Sequence, residues 1–161
     1  MKVTIYSDGA CKGNPNGPGG FGTILQYVDR DYKLHEKEFS AGYKSTTNNR
    51  MELMGVITGF EALKTKCDVE VISDSKYVCD AFNKRWIYSW MKKGWKKSDN
   101  EPVKNRELWE RLLKAMDGNN VTFTWIKGHA GHRENERCDT LASNSAKSSE
   151  LLDDDGLGML L

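Results

Sequence analysis

The chain has no Cys-x-x-Cys pair, only three prolines and no long apolar run. Its four cysteines, Cys11, Cys67, Cys79 and Cys138, are scattered along 161 residues. That spacing argues against a disulfide scaffold and a thiolate zinc site, and leaves them as small buried hydrophobes. No stretch approaches the roughly 20 apolar residues of a bilayer span, and Met1 to Asp8 reach an acid too early for a secretory leader. A shortage of aromatics would point to disorder, but Phe, Trp and Tyr make up 10% of the residues. The length suits one domain that folds without metal or disulfide. The expectation is a soluble, cytoplasmic, single-domain protein with no membrane contact.

Net charge is nearly absent too, at +1, yet it is unevenly spread. Residues 148–161 contain Glu150, Asp153, Asp154 and Asp155 and no Lys or Arg. With these four set aside, residues 1–147 carry 24 basic against 19 acidic side chains, a net of +5. Acids are missing altogether from residues 84–97, where Lys84, Arg85, Lys92, Lys93, Lys96 and Lys97 are interleaved with Trp86, Trp90 and Trp95. Such a stretch suits a polyanionic partner. The tryptophans by themselves suit core packing equally well.

A β-branched and aromatic run at residues 3–7, an irregular Gly- and Pro-rich stretch from Asp8 to Gly20, and strands at 21–28 and 34–43 joined across the polar Asp29-Arg30-Asp31 turn predict, by their short connections, an antiparallel meander. Leu53, Val56, Ile57, Phe60 and Leu63 lie on one helical face, with Thr46 or Thr47 as N-cap. A short strand at 69–73, a helix from Ser75 and a short basic helix over 84–93 follow. Beyond a loop with Gly94 and Pro102 come a helix over 105–116, a strand over 121–126 and a helix over 134–147. This order describes a mixed sheet with helices packed on it, an α/β layer architecture. The domain ends at residue 147. Residues 148–161, acidic and then rich in Gly and Leu, are expected to form a flexible tail that could also serve as a short protein-binding peptide.

Asp8 and Asp74 each end a β-rich run. Sites in open α/β sheets form beyond the carboxyl ends of strands, so parallel neighbours would bring the two aspartates side by side. Each has a plainer reading as a turn aspartate or, for Asp74, a helix N-cap. Glu52 completes a capping-box pattern with Asn49, yet Val56 at i+4 puts it on the border of the apolar stripe. Ala142 and Ala146 place Asp139 on the small-residue edge of the last helix. Carboxylates leaning toward a core are costly unless paired or metal-bound. Four that converged would need divalent cations between them, and an oxygen donor set suits Mg²⁺ or Mn²⁺. His129 lies between glycines in Lys127-Gly128-His129-Ala130-Gly131-His132. It can be read as a proton carrier or as an ordinary loop histidine.

Asp8-Gly9, Thr46-Thr47-Asn48-Asn49-Arg50-Met51-Glu52-Leu53, Ser73-Asp74-Ser75, the loop around His129, and Asn135-Glu136-Arg137-Cys138-Asp139 together resemble type 1 ribonuclease H in order and spacing. The basic segment from Trp86 to Trp95 is similar to the handle of bacterial members. The resemblance covers residues 1–147. It implies the ribonuclease H fold: a five-stranded mixed sheet, its first three strands antiparallel, with helices on both faces. It also implies an endonuclease that cuts the RNA strand of RNA/DNA hybrid duplexes with little sequence specificity. The expected products are 5′-phosphate and 3′-hydroxyl ends, and the expected cofactor is two Mg²⁺ ions, with Mn²⁺ as a substitute. The enzyme would be a monomer.

Carried over by position, the resemblance makes Asp8, Glu52, Asp74 and Asp139 the metal ligands and His129 an aid to proton transfer or product release. Asn14, Asn48 and Asn49 would lie along the minor groove, and Thr47 and Asn105 would hold a DNA phosphate. Tyr77, Trp86 and Ser98 would line the DNA-strand channel. Lys92, Lys93, Trp95, Lys96 and Lys97 would belong to the handle, whose lysines grip phosphates.

Some positions depart from the family pattern. The loop over 13–20 is one residue longer than usual, Ser45 stands where a basic residue is common beside Lys44, and Lys76 replaces a frequent glutamine. None of these is an expected metal ligand. Two rival readings are a hybrid-binding module that has lost cleavage and a different nuclease on the same fold, such as an integrase or junction resolvase. The intact acidic set speaks against the first, and the handle with Thr-Thr-Asn-Asn-Arg-Met-Glu against the second.

Overall fold

A computed structural model describes residues 1–156. Strands β1 (Lys2–Cys11), β2 (Gly19–Val28), β3 (Leu34–Tyr43), β4 (Asp68–Ser73) and β5 (Asn120–Trp125) form one sheet in the order β3-β2-β1-β4-β5. β1, β2 and β3 pair antiparallel, while β4 runs parallel to both β1 and β5. The helices are α1 (Asn48–Glu61), α2 (Lys76–Asn83), α3 (Trp86–Lys92), α4 (Arg106–Met116) and α5 (Arg133–Ala146).

Alternation along β2 assigns the helices to the two faces. Phe21 and Thr23 point toward α1, where the Thr23 hydroxyl donates to the Gly55 carbonyl at 2.7 Å. On the opposite face Gly20 and Gly22 lie directly against the backbone of α5. A Cβ at Gly22 would collide with the Cys138 carbonyl, so the missing side chain is what lets α5 seat on the sheet. Between the sheet and α1 the core is filled by Ile5, Leu53, Val56, Ile57 and Val71. It extends under α2 and α4 through the stacked pair Phe82–Phe123 and the fully buried Trp109. Among the described residues no helix is long and apolar enough to cross a membrane.

Several local expectations need correction. β1 does not stop at Ser7: Asp8, Gly9, Ala10 and Cys11 continue the strand, because the Gly-rich start of β2 offers them a ladder. Cross-strand pairing overrides the low strand propensity of those residues. Thr47 is the N-cap of α1, its hydroxyl accepting from the Arg50 N–H at 3.2 Å. The capping-box reading of Glu52 therefore fails. Asp74 is not a cap either, since Ser75 caps α2 by accepting from the Val78 N–H.

The tail is the largest departure. Residues 148–156 are not a free appendage but cross the end of β3, where the Leu152 N–H donates to the Gly42 carbonyl and the Lys44 N–H to the Leu152 carbonyl. The segment is drawn in by Arg50, which is 1% exposed and shares the α1 face of Leu53 and Ile57. All five Arg50 N–H donors find partners. Nε and Nη2 bind Asp154 at 2.7 and 2.9 Å, Nη1 and Nη2 bind Glu107 at 2.7 and 3.1 Å, and Nη1 also reaches Asn105 at 3.1 Å. The Thr46 hydroxyl donates to the same Asp154 carboxylate. A buried guanidinium without these partners would be prohibitively unfavourable, which gives the acidic tail a definite docking point. A tail peptide for a protein partner would fall on residues 157–161, outside the described residues.

Asp154→Ala should lower unfolding stability by about 2–4 kcal/mol, because Arg50 keeps Glu107 but loses two of its five bonds. Urea unfolding checks this, and a loss below about 0.5 kcal/mol would show that the tail contributes nothing to the fold.

Candidate active site

β1 and β4 pair in parallel with Ser7 opposite Ser73, so the residues that follow, Asp8 and Asp74, stand side by side at the carboxyl ends of neighbouring strands. Glu52 arrives from above, one turn into α1. The helix approaches β1 so closely that a Cβ on Gly9 would stand 2.6 Å from the Glu52 nitrogen. With no side chain there, the Gly9 N–H reaches both the Glu52 carboxylate, at 3.1 Å, and the Asp8 carboxylate, at 2.9 Å. One peptide N–H thus orients two acids. One oxygen each from Asp8, Glu52 and Asp74 lies within 4.8 Å of the others.

The cluster floors an open cleft of about 410 Å³. Asp139 on α5 and His129 on the β5–α5 loop line the same cleft, as do Asn48, Asn49 and Tyr77. His129 is exposed and adopts a left-handed backbone, φ 55°. The loop closes tightly over Asp74, since a Cβ on Gly128 would lie 2.6 Å from the Asp74 carboxylate. The Trp125 indole N–H donates to the Asp74 main-chain carbonyl at 2.9 Å and ties the end of β5 to the same residue.

Burial, and then the neighbouring Asp74 charge, push the Asp8 carboxyl up to about 7. Burial, followed by the charges of Asp8 and Asp74, raises Glu52 well above the usual carboxylate range. Two ionised carboxylates about 4 Å apart repel by about 4 kcal/mol at an effective dielectric of about 20. Such a cluster is relieved either by protons, which neutralise some of its carboxylates, or by cations between them. Glu52 Oε2 is buried with no hydrogen-bond partner, an orphan oxygen in a set made only of carboxylates. That donor set fits a hard divalent cation of the Mg²⁺ or Mn²⁺ kind.

The remaining expected site residues divide into two groups. Asn14 accepts from the Asn48 N–H at 3.2 Å, joining the Gly/Pro loop to the start of α1 beside Thr47. Lys92, Lys93, Lys96, Lys97 and Ser98 are exposed, and Trp86 is 44% exposed on α3. Trp95 is different: at 9% exposure it belongs to the core and offers no contact face, with the Arg106 guanidinium over its ring. Asn105 is also nearly buried. Its amide oxygen accepts from Arg50 and its nitrogen donates to the Tyr77 hydroxyl at 3.0 Å, so it braces the pocket from behind. Sequence patterns single out neither Arg50 nor Trp125. An arginine at i, i+3, i+7 with Leu53 and Ile57 is the signal for a buried, multiply paired cation; nothing marks Trp125.

Known proteins resemble this chain in sequence and in fold. The family profile for RNase H matches residues 1–147. A Ribonuclease H of Lachnoclostridium phytofermentans is 59% identical over 154 residues, covering 96% of this chain and 98% of its own. One from Desulforamulus reducens is 53% identical, covering 93% of this chain and 91% of its own. Among solved structures, LC9-RNase H1, a type 1 RNase H with the type 2 active-site motif, superposes with a TM-score of 0.81 at 32% identity, over 95% of this chain and 77% of that one. A foamy viral protease-reverse transcriptase in complex with an RNA/DNA hybrid shares the fold at a TM-score of 0.75 and 17% identity, over 89% of this chain and 20% of that one. Sheet order, buried acids and near full-length relatives agree: the chain belongs to the ribonuclease H family of metal-dependent endoribonucleases, which cleave the RNA strand of RNA/DNA hybrids, and its buried acidic cluster is the catalytic site.

Proposed function

We propose that Asp8, Glu52, Asp74 and Asp139 together hold two divalent cations, and that hydrolysis leaves 5′-phosphate and 3′-hydroxyl ends. What carries the reading is the meeting of three carboxylates, one with an unpartnered buried oxygen, in a cleft shared with Asp139 and His129. Bound there, Mg²⁺ or Mn²⁺ would supply Lewis acidity toward a water and a phosphate oxygen.

The chain's own work is placement. Gly9 orients Asp8 and Glu52, while Trp125 and Gly128 hold Asp74 from the other side. No serine or cysteine nucleophile is required. His129, on its exposed loop, carries a proton to the leaving 3′-oxygen or helps the product depart. Asn14, Asn48 and Asn49 face a minor groove recognised by shape and 2′-hydroxyls, and Thr47 with Tyr77 and Trp86 accommodates the DNA strand. The exposed lysines of the handle grip phosphates without reading sequence. The enzyme acts as a monomer.

Asp8→Asn should reduce Mg²⁺-dependent cleavage of a hybrid's RNA strand by on the order of 10³-fold or more while hybrid binding persists. End-labelled RNA, assayed with Mg²⁺ and with EDTA, checks this; near-wild-type cutting would sink the four-carboxylate site.

Protons and cations compete for the cluster, and this gives a pH dependence with a definite sign. The Asp8 and Glu52 carboxyls are raised in the folded chain, Asp8 to about 7, whereas unfolded carboxyls ionise near 4. Between those values the folded state binds more protons, so metal-free stability should fall as pH rises through that window. Metal-free Tm should be roughly 4–8 °C higher at pH 5.5 than at pH 8, relative to the same difference in Asp8→Asn. Mg²⁺ should raise Tm more at pH 8 than at pH 5.5. Equal pH responses of wild type and variant, by circular dichroism melts, would contradict the shift.

Replacing Lys92, Lys93, Lys96 and Lys97 together with Ala should weaken hybrid binding and make its logarithmic salt dependence shallower by roughly 0.9 for each phosphate no longer neutralised. Fluorescence anisotropy over a KCl series reads the slope, and an unchanged slope would remove the handle from the substrate.

A further inference from the structure

We infer that Asp154 is a positioning residue for the substrate, one carboxylate that holds the two walls of the hybrid-binding cleft at a fixed spacing. The inference rests on the ribonuclease H reading given above. Asp154 belongs to the C-terminal segment and is not among the residues lining the acidic cleft. Its side chain is nonetheless 9% exposed and fully engaged. Oδ2 accepts from the Thr46 hydroxyl and from Arg50 Nε, each at 2.7 Å, and Oδ1 accepts from Arg50 Nη2 at 2.9 Å. Two chains of contact start from these bonds, and each ends at a different wall.

The first chain runs through Thr46, which is fully buried. Its carbonyl accepts from the Asn16 N–H at 2.8 Å, and its N–H donates to the Gly17 carbonyl at 3.0 Å. The Gly/Pro loop is thus hung on Thr46, and that loop carries Asn14, whose side chain accepts from the Asn48 N–H. The second chain runs through Arg50. Its Nη1 donates to the Asn105 amide oxygen at 3.1 Å, and the Asn105 nitrogen donates to the Tyr77 hydroxyl at 3.0 Å. Asn48 and Tyr77 both line the cleft, so a wall on each chain is referred back to the same carboxylate.

A hybrid spans both walls at once, its minor groove on the asparagine side and its DNA strand on the Tyr77 side. The spacing between the walls must therefore match the width of the duplex before binding, or ordering them costs affinity. A carboxylate suits the task, because charge-assisted bonds to a guanidinium are short and fix orientation. The acids of the reaction lie outside this circuit. Asp8 and Glu52 are oriented by the Gly9 N–H, and Asp74 by its place at the end of β4 beside Trp125. Loss of Asp154 should accordingly be felt in how the duplex is held and spare the chemical step.

The test compares wild type with Asp154→Asn, with Thr46→Val, which cuts only the first chain, and with Val3→Ala. The last loosens the core at the far end of β1 from Asp8 and controls for lost stability. Steady-state cleavage of an RNA/DNA hybrid is measured where circular dichroism shows each variant folded. Binding in EDTA is measured with hybrids carrying a single neutral methylphosphonate at successive DNA-strand positions. Asp154→Asn should raise KM several-fold with kcat within about two-fold of wild type. A methylphosphonate position that weakens binding of wild type should leave Asp154→Asn unaffected. Thr46→Val should raise KM less and keep the wild-type methylphosphonate pattern, while Val3→Ala should match wild type in both. If Asp154→Asn keeps the wild-type KM and pattern, Asp154 serves stability alone and the inference is overturned. An equal rise of KM in Val3→Ala overturns it as well. Should Asp154→Asn fail to fold, Thr46→Val decides, and an unchanged KM there overturns the inference. If wild type itself shows no Mg²⁺-dependent cleavage, the ribonuclease H reading fails instead.

Discussion

Mutual repulsion among Asp8, Glu52 and Asp74, gathered within 4.8 Å, is the load that the rest of this fold is built to hold. Each acid is fixed by an element that cannot easily yield. Asp8 lies in a strand hydrogen-bonded on both sides, and Asp74 follows β4, which is paired with β1 and β5. Glu52 rides on α1, whose Leu53, Val56 and Ile57 are fully buried against the sheet. Releasing the strain would mean lifting α1 from the core, at a cost of several buried aliphatic side chains of about 1.5–3 kcal/mol each. Repulsion of a few kcal/mol cannot achieve that. The site therefore keeps an electrostatic deficit that a bound cation relieves, which is how a binding site can be preorganised at the expense of stability.

Arg50 is the counterweight, and it follows the opposite logic. Here one buried cation is surrounded by Glu107, Asp154 and the Asn105 amide, with every donor engaged. Both clusters hang from α1 within three residues, Arg50 and Glu52. One is satisfied and structural; the other is left unsatisfied and chemical. The satisfied cluster joins α1 to α4 and to the C-terminal segment, and through Asn105 it braces the Tyr77 hydroxyl, which in turn accepts from the Trp109 indole. Tyr77 lines the active cleft, so the same network that docks the tail also supports a wall of the site.

Much of this was legible in the residues themselves. Helices announced themselves by period, because burial on one face imposes 3.6 on the sequence; the α1 stripe of Leu53, Val56, Ile57 and Phe60 is a case in point. The convergence of Asp8 and Asp74 could be argued from strand ends, but only as a condition, since nothing local says that β1 and β4 are parallel neighbours. Motif resemblance supplied the rest of the acid set. Effects of long-range partners were not legible. Glu52 matched a capping box that the structure does not form, because its true partner, Gly9, is 43 residues away. Trp95 and Asn105 looked like surface contacts and are buried instead, Trp95 under Arg106 and Asn105 beneath Arg50 and Tyr77. The tail looked flexible because its own composition cannot fold it; a guanidinium about 100 residues earlier does.

Acids and cations are also partitioned by exposure, and the partition has a consequence for function. Asp8 and Glu52 are buried, while the lysines of the handle and Lys76 are exposed. Salt screens exposed charges over a Debye length of about 10 Å at 0.1 M and reaches buried ones far less. Ionic strength therefore acts on how firmly the polyanion is held and leaves the electrostatics of the acid cluster nearly untouched. Divalent cations and protons do the reverse, because they enter the cluster itself. In the proposed reading, grip by the handle and chemistry at the acids thus answer to different solution variables. The separation follows from which element each charge stands on, acids on the buried strands and α1, cations on the exposed helix starts and loops beyond them.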